Sequence, residues 1–319
     1  MERETKRPRL DGHCRNAEHL ATNNPLSWDK WITFDEQLHE YRMQPGNERV
    51  PYSASDLVKM CFPVSEFKPR EIAAKNLALW RSRASSEYHP LVVGKPDEDA
   101  IDAVCSVWEQ NNARGTKMHK LFELLLNGVH VPADEDEFLG HDRDRDAFAK
   151  FRTDHIHLEP YRTEISMYYK NADGVVVCAG QPDVIFKDRR DHSLVIVDFK
   201  RVRGSLTPAN PANPAYTSTA RQWRNESGVG AMSGIASSKH NHYSLQQSIY
   251  AVMFEFLTGE EVSKMFLLQI DPDGVQEYRL IRCNDLRVKA KQALDTLAVA
   301  NATATIKNSA PPQAAPGDA

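Results

Sequence analysis

The stretch GQPDVIFKDRRDHSLVIVDFKR, residues 180–201, sets two acids and a lysine into chain that otherwise reads as buried strand. VVVCAGQPDVIF (175–186) and SLVIVDF (193–199) are apolar and rich in β-branched residues, and the polar KDRRDH (187–192) lies between them. That pattern predicts an antiparallel hairpin. A turn centred between Arg190 and Asp191 puts Asp183 directly opposite Asp198, with Cβ atoms roughly 5 Å apart, where like charges repel. Lys200, two residues on, points to the face of Asp198. Pro182 has no N–H to give a ladder and marks an edge or a bulge. Two readings follow: a divalent cation held between the carboxylates, or a surface hairpin with a scattered Asp–Lys pair. The run is too apolar for a solvated face.

The 319 residues are 41% hydrophobic, enough for one large domain or two small ones. No apolar stretch reaches the roughly 18 residues of a membrane helix. No secretory h-region opens the chain, so the expected compartment is intracellular. Cysteines 14, 61, 105, 178 and 283 form no C-x-x-C pair, which speaks against a zinc ribbon or a disulfide framework. With a net charge of −4, any nucleic-acid contact has to be local. One segment qualifies: Arg201, Arg203, Arg221, Arg224 and Lys239 face a single acid, Glu226, between residues 201 and 243. KRPR at 6–9 reads either as a nuclear-localisation signal or as part of a polar tail.

The expected organisation is α/β: a mixed central sheet flanked by helices, with a mainly helical N-terminal portion. Residues 1–28 read as a polar tail and 29–304 as one domain, divided into a helical part (29–112) and a core (113–304). Residues 305–319 read as a second tail. A hairpin is expected at 31–43, and a helix entered through Ser53 or Ser55. Further helices are expected at 69–84, 98–112, from a Thr116 cap to Gly128, at 140–155, 242–257 and 285–300. Strands are expected at 162–169, through the hairpin, and at 265–270 and 276–283. The Pro/Gly/Ser-rich 203–240 reads as a long functional loop.

Two helices share a design. In GTKMHKLFELLLNG (115–128) an apolar stripe carries His119 and Glu123 on its shoulder; in HYSLQQSIYAVMFEF (242–256) the same place holds Gln246 and Tyr250. Taken singly, an i,i+4 His–Glu pair is ordinary helix support. Gln246, Tyr250 and Glu164 are equally unremarkable alone.

Their order is informative. GTKMHKLFE, Glu164, QPDVIF, VDFKR and QQSIY, in that sequence over residues 115–250, resemble the motif series of RecB-like nucleases in the PD-(D/E)XK superfamily. The flanking YSASDLVKMCF and HYSLQQSIYAVMFE are similar to stand-alone exonuclease-like members of large DNA viruses and some eukaryotes. The resemblance implies a restriction-endonuclease-like fold and a Mg²⁺- or Mn²⁺-dependent DNA exonuclease of replication, recombination or repair. It implies that Asp183, Asp198, His119 and the Phe199 carbonyl hold the metal. Lys200 would be the catalytic lysine, Glu123 and Glu164 supporting acids, and Gln246 and Tyr250 would position the DNA. Iron–sulfur relatives use three further cysteines near the C-terminus; only Cys283 stands there, so no cluster is expected. No Walker motif occurs, so no nucleotide is expected either.

The expected partner is therefore DNA, as single strands or duplex ends. Arg201, Arg203, Arg221 and Arg224 would meet phosphates and Trp223, with Tyr216 near it, would stack on bases; a solvated linker is the alternative. An endonuclease, or a binding protein that has lost catalysis, are the rival functions. The intact Asp183, Asp198 and Lys200 speak against the second.

Overall fold

The computed structural model describes residues 17–63, 67–171, 173–204, 206, 227–274 and 277–308. The chain runs α1 (His19–Asn23), β1 (Ile32–Asp35), β2 (Glu40–Met43), β3 (Glu48–Arg49), β4 (Tyr52–Ser53), α2 (Ala54–Cys61), α3 (Pro69–Ser82), α4 (His89–Val92) and α5 (Asp97–Leu126). There follow α6 (Asp142–Asp154), β5 (Leu158–Thr163), β6 (Met167–Lys170), β7 (Val176–Gly180), β8 (Val184–Asp188) and β9 (Leu194–Arg201). The chain closes with α7 (Lys239–Thr258), β10 (Val262–Ile270), β11 (Arg279–Arg282) and α8 (Arg287–Asn308).

The central sheet has the order β11-β10-β9-β8-β5, and it is mixed, as expected: β9 and β10 are parallel and the other pairs antiparallel. Alternation along β9 divides two cores. Val195, Val197 and Phe199 pack towards α5 and α6 with Phe122 and Phe148. Leu194 and Ile196 pack on the other side with Ile249, Met253 and Leu294 of α7 and α8. Asp198 and Lys200 fall on that second side by the same alternation. A smaller sheet, β4-β7-β6, lies beside α7, and a third small core joins α3, α4 and the first half of α5.

The hairpin register is the expected one: Val184 pairs with Val197 and Lys187 with Leu194. Its first arm is shorter than expected. Chain read as one strand over 175–186 is two, β7 and β8, in different sheets, parted at Gln181–Asp183. Pro182 cannot continue a ladder, and here it marks a change of sheet rather than a bulge. The strand expected at 162–169 is likewise split into β5 and β6, with Glu164 between them at φ +44°. Helices expected at 98–112 and 116–128 are one helix, α5, which crosses the boundary drawn at 112/113. Thr116 does not cap; its hydroxyl bonds back to the Asn112 carbonyl at 3.3 Å, and Gly115 is absorbed at about 1 kcal/mol.

The packed chain also begins earlier than the expected end of the N-terminal tail at 28. Leu20 of α1 is buried and its N–H donates to Asn127 Oδ1, while buried Trp28 donates to the Ser166 carbonyl. At the other end α8 runs to Asn308, past the boundary at 304. The start of α2 is as expected: Ser53 accepts from Asp56 N–H and Asp56 accepts from Ser53 N–H, a reciprocal cap. No helix among the described residues is long and apolar enough to cross a membrane.

Candidate metal centre and its surroundings

Four elements converge where β8 begins and β9 ends. Asp183 stands just before β8, with its side chain 12% exposed, and lies 3.3 Å from His119 Nδ1 of α5. Its Oδ2 accepts the Phe199 N–H at 2.5 Å. Glu164 is aimed inward by its left-handed backbone; its N–H donates to the Asp183 carbonyl and Gln181 Nε2 donates to the Glu164 carbonyl. Donor atoms of His119, Glu164 and Asp183 lie within 4.8 Å of one another, the set among the described residues able to hold a cation.

Asp198 is not one of that set. Only 3% exposed, it pairs with Lys200, whose Nζ is 2.5 Å from its Oδ2. That oxygen is buried, with the Lys200 ammonium as its counter-ion. Lys200 also lies over the ring of Tyr243, 4.9 Å from its centroid.

Charge is unevenly distributed over these groups. Burial, then the charge of Asp183, pushes the Asp198 carboxyl up to about 6, although Lys200 pulls the other way. Burial would raise Asp183 too, but His119, Lys200 and the Phe199 N–H outweigh it and hold it below the usual value. Glu164 is raised well above the ordinary carboxylate range by burial and by Asp183, Glu123 and Asp198. Burial works against the charge on Lys200 and His119, yet the facing carboxylates lift both above their ordinary values. The site thus carries more acid than its own cations neutralise. One imidazole and two carboxylates within reach of one another, with a third buried carboxylate beside them, are a donor set suited to a hard divalent ion.

Other expected residues are placed as follows. Glu123 pairs with Lys120 at 2.8 Å and is close enough to raise Glu164. The part of Phe199 brought to Asp183 is its N–H rather than its carbonyl. Gln246 bonds Ser55 Oγ at 3.2 Å on the rim of α7. Tyr250 is buried against Gly180, where a Cβ would stand 2.6 Å from the tyrosine Cε1 and 3.0 Å from Ala54 Cβ; only glycine admits this approach. Arg201 is 9% exposed and paired at 3.2 Å with buried Asp144, which also meets His141 at 2.7 Å. Arg203 pairs with Glu87 and Asp273. Arg221, Trp223, Arg224 and Tyr216 lie outside the described residues.

Two residues carry no mark in the sequence that singles them out. Gln247 is fully buried, and neither its Oε1 nor its Nε2 has a hydrogen-bond partner among the described residues. Four residues after Tyr243 and three before Tyr250, it shares their face of α7, the face turned to Lys200 and Gly180. Gln181 stands in the sequence simply as the neighbour of Pro182, yet it clamps Glu164 and Ser166 and accepts from Tyr41. Helical spacing from Tyr250 could have found Gln247; nothing local points to Gln181.

No protein-family model and no curated protein matches this chain. Among the solved structures similar to this chain, two match over most of their length. One, provisionally described as an exonuclease, from Eubacterium rectale, shares 13% identity at a TM-score of 0.35, covering 77% of this chain and 86% of that one. The other, SSO0001, shares 15% identity at a TM-score of 0.25, covering 72% of this chain and 85% of that one. At such distances the site stands on the geometry of this chain alone.

Proposed function

We propose that this chain is a Mg²⁺- or Mn²⁺-dependent DNA phosphodiesterase, acting from strand ends as an exonuclease in replication, recombination or repair. The observation that carries the reading is the surplus of acid at the head of β8 and the end of β9: Asp183, Glu164 and His119 within 4.8 Å, with Asp198 and Lys200 beside them. His119, Glu164 and Asp183 would hold the ion, with Asp198, paired to Lys200, beside them. When bound, a divalent ion polarises a phosphoryl oxygen and lowers the pKa of water.

The chain's own groups divide the remaining work. Lys200, whose pKa Asp198 and Asp183 hold up, supplies positive charge and hydrogen bonds to the phosphate. Glu164, raised well above its ordinary value, has to give up its proton before it can serve as a donor. The Phe199 N–H fixes one oxygen of Asp183, leaving the other for His119 or the ion. Tyr243 and Tyr250 close the α7 side against water.

The test is degradation of end-labelled linear and circular DNA in Mg²⁺, Mn²⁺ or EDTA, with Lys200→Ala and Asp198→Asn beside the wild type. Metal-dependent loss of linear DNA alone, absent in both variants, is expected. Cutting of circles would replace exonuclease by endonuclease, and equal activity in all three proteins would overturn the assignment.

A further inference from the structure

Two stretches of chain pass together from one sheet to the other at the metal centre. On one side of the crossing Thr163 of β5 pairs with Val184 of β8; on the other, Met167 of β6 pairs with Gly180 of β7. The two pairs keep one register, so Glu164 stands opposite Asp183, Ile165 opposite Pro182 and Ser166 opposite Gln181. Opposed residues of an antiparallel pair have Cβ atoms about 5 Å apart. Two carboxylates of the metal set are therefore brought together by register alone.

The crossing has little ladder to hold it. Pro182 has no N–H to give. Glu164 sits at φ +44°, where an L side chain is strained and stays only if its surroundings hold it. Its N–H donates to the Asp183 carbonyl at 3.2 Å. Its carbonyl is answered by a side chain: Gln181 Nε2 donates to it at 3.0 Å, and to Ser166 Oγ at 3.0 Å.

The orientation of that amide is fixed in turn. A carbonyl oxygen can only accept, so the nitrogen end of Gln181 has to face Glu164 and the oxygen end is left for Tyr41. The Tyr41 hydroxyl, from β2, donates to it at 3.3 Å. Burial, then the charge of Glu164, lifts that hydroxyl above its ordinary value, so it keeps the proton it donates. With N–H and C=O both held, Glu164 keeps its backbone turn, and its carboxylate stays within 4.8 Å of the donor atoms of Asp183 and His119.

We propose that Gln181, oriented by Tyr41, is a positioning residue of the metal centre: it holds the strained backbone of Glu164 so that Glu164 and Asp183 present their carboxylates to one ion. This rests on the metal-centre reading, and through Tyr41 it makes the small β1-β2-β3 sheet part of that centre.

The experiment titrates Mn²⁺ calorimetrically into the full chain, well below the melting temperature of each variant, with circular dichroism as the check on folding. Gln181→Leu removes both ends of the amide at similar volume, and Tyr41→Phe removes a single hydroxyl. Loss of an outer partner of a ligand predicts Mn²⁺ affinity about tenfold weaker in Gln181→Leu and about threefold weaker in Tyr41→Phe. In a Glu164→Ala background, Gln181→Leu is expected to change the remaining affinity by no more than about twofold, because the ligand it acts through is gone. A residue that merely braces the crossing would lower Tm when replaced and leave Mn²⁺ affinity alone; that result in Gln181→Leu overturns the positioning role. An equal loss of affinity with and without Glu164 overturns it too. If Gln181→Leu does not fold, Tyr41→Phe decides, and affinity equal to the wild type there overturns the role. A wild type that binds no Mn²⁺ removes the metal centre itself, and the role with it. A wild type that binds Mn²⁺ and cleaves DNA, beside an unaffected Gln181→Leu, removes the role and leaves the metal centre standing.

Discussion

The two ends of the β8–β9 hairpin each bury an aspartate, and they treat it oppositely. At the turn, Asp188 has a side chain 1% exposed and every oxygen is answered: Arg190 donates from N, Nε and Nη2 at 3.0, 3.0 and 2.7 Å, and Lys264 lies 3.7 Å away. Those bonds hold its carboxyl below the usual range. At the open end, Asp198 is also buried and paired with Lys200, yet it is pushed up to about 6. Both ends lie on the same two strands, but the open end is enclosed on more sides, and burial is the largest cause of the rise at Asp198, whereas the Arg190 bonds dominate at Asp188. Supply differs as well: the turn matches its acid with cations, whereas the open end gathers Asp183, Asp198, Glu164 and Glu123 around Lys200, His119 and Lys120. An acid surplus kept inside a fold is a cost unless something else fills it.

Substitution at the two ends gives the widest contrast. Asp183→Asn is expected to lower DNA hydrolysis by at least about 10³-fold while leaving the protein folded. Asp188→Asn is expected to keep activity within a few-fold but to lose roughly 1–3 kcal/mol of stability, read by urea unfolding. Loss of activity in the turn variant would erase the distinction.

The pH dependence of the cation-free protein sharpens it. Glu164 is raised on folding, so its cost to stability is absent below the ordinary glutamate value near 4.3 and grows as pH rises through and beyond it. Glu164→Gln therefore raises Tm in EDTA at pH 7–8 and leaves it unchanged near pH 4. Asp188 is depressed, so its contribution is present above about 4 and lost as pH falls. Asp188→Asn lowers Tm at pH 7 and loses that effect towards pH 2. Tm curves of the two variants that bend the same way would contradict the comparison.

A smaller effect concerns the wall of the open end. Gly180→Ala forces a methyl against Tyr250 and is expected to cost about 1–3 kcal/mol. Smaller again, Gln247→Leu removes two unanswered polar atoms, so stability rises by up to about 1 kcal/mol while hydrolysis falls. Gln246→Ala, on the rim, changes hydrolysis by no more than about twofold, in keeping with its single bond to Ser55. Parallel thermal melts and rate measurements check all three.

The hairpin register was legible because period-two alternation and a polar turn leave one pairing that keeps both arms buried, and Val184 does meet Val197. The Ser53 cap was legible for a similarly local reason, since its partner Asp56 is three residues away. The changes of sheet at Gln181–Asp183 and at Glu164 were not. They depend on Gln181 bridging Glu164 and Ser166 across 15 or more residues, a contact no local pattern encodes. Fusion of two expected helices into α5 was hidden by Gly115 and Thr116, which resemble a stop and a start but cost a continuous helix little. Asp183 and Lys200 were found from the register of the hairpin and His119 from the motif order; Gln247 was missed because its burial comes from packing. Arg201 carried a basic-patch expectation that buried Asp144, 57 residues away, now accounts for.

The most direct test of the surplus is calorimetric titration of Mn²⁺ into the wild type, Asp183→Asn and Asp188→Asn. Saturable binding is expected for the wild type and Asp188→Asn, and its loss in Asp183→Asn. Equal binding by all three would mean that the acids at the open end are not there for a metal.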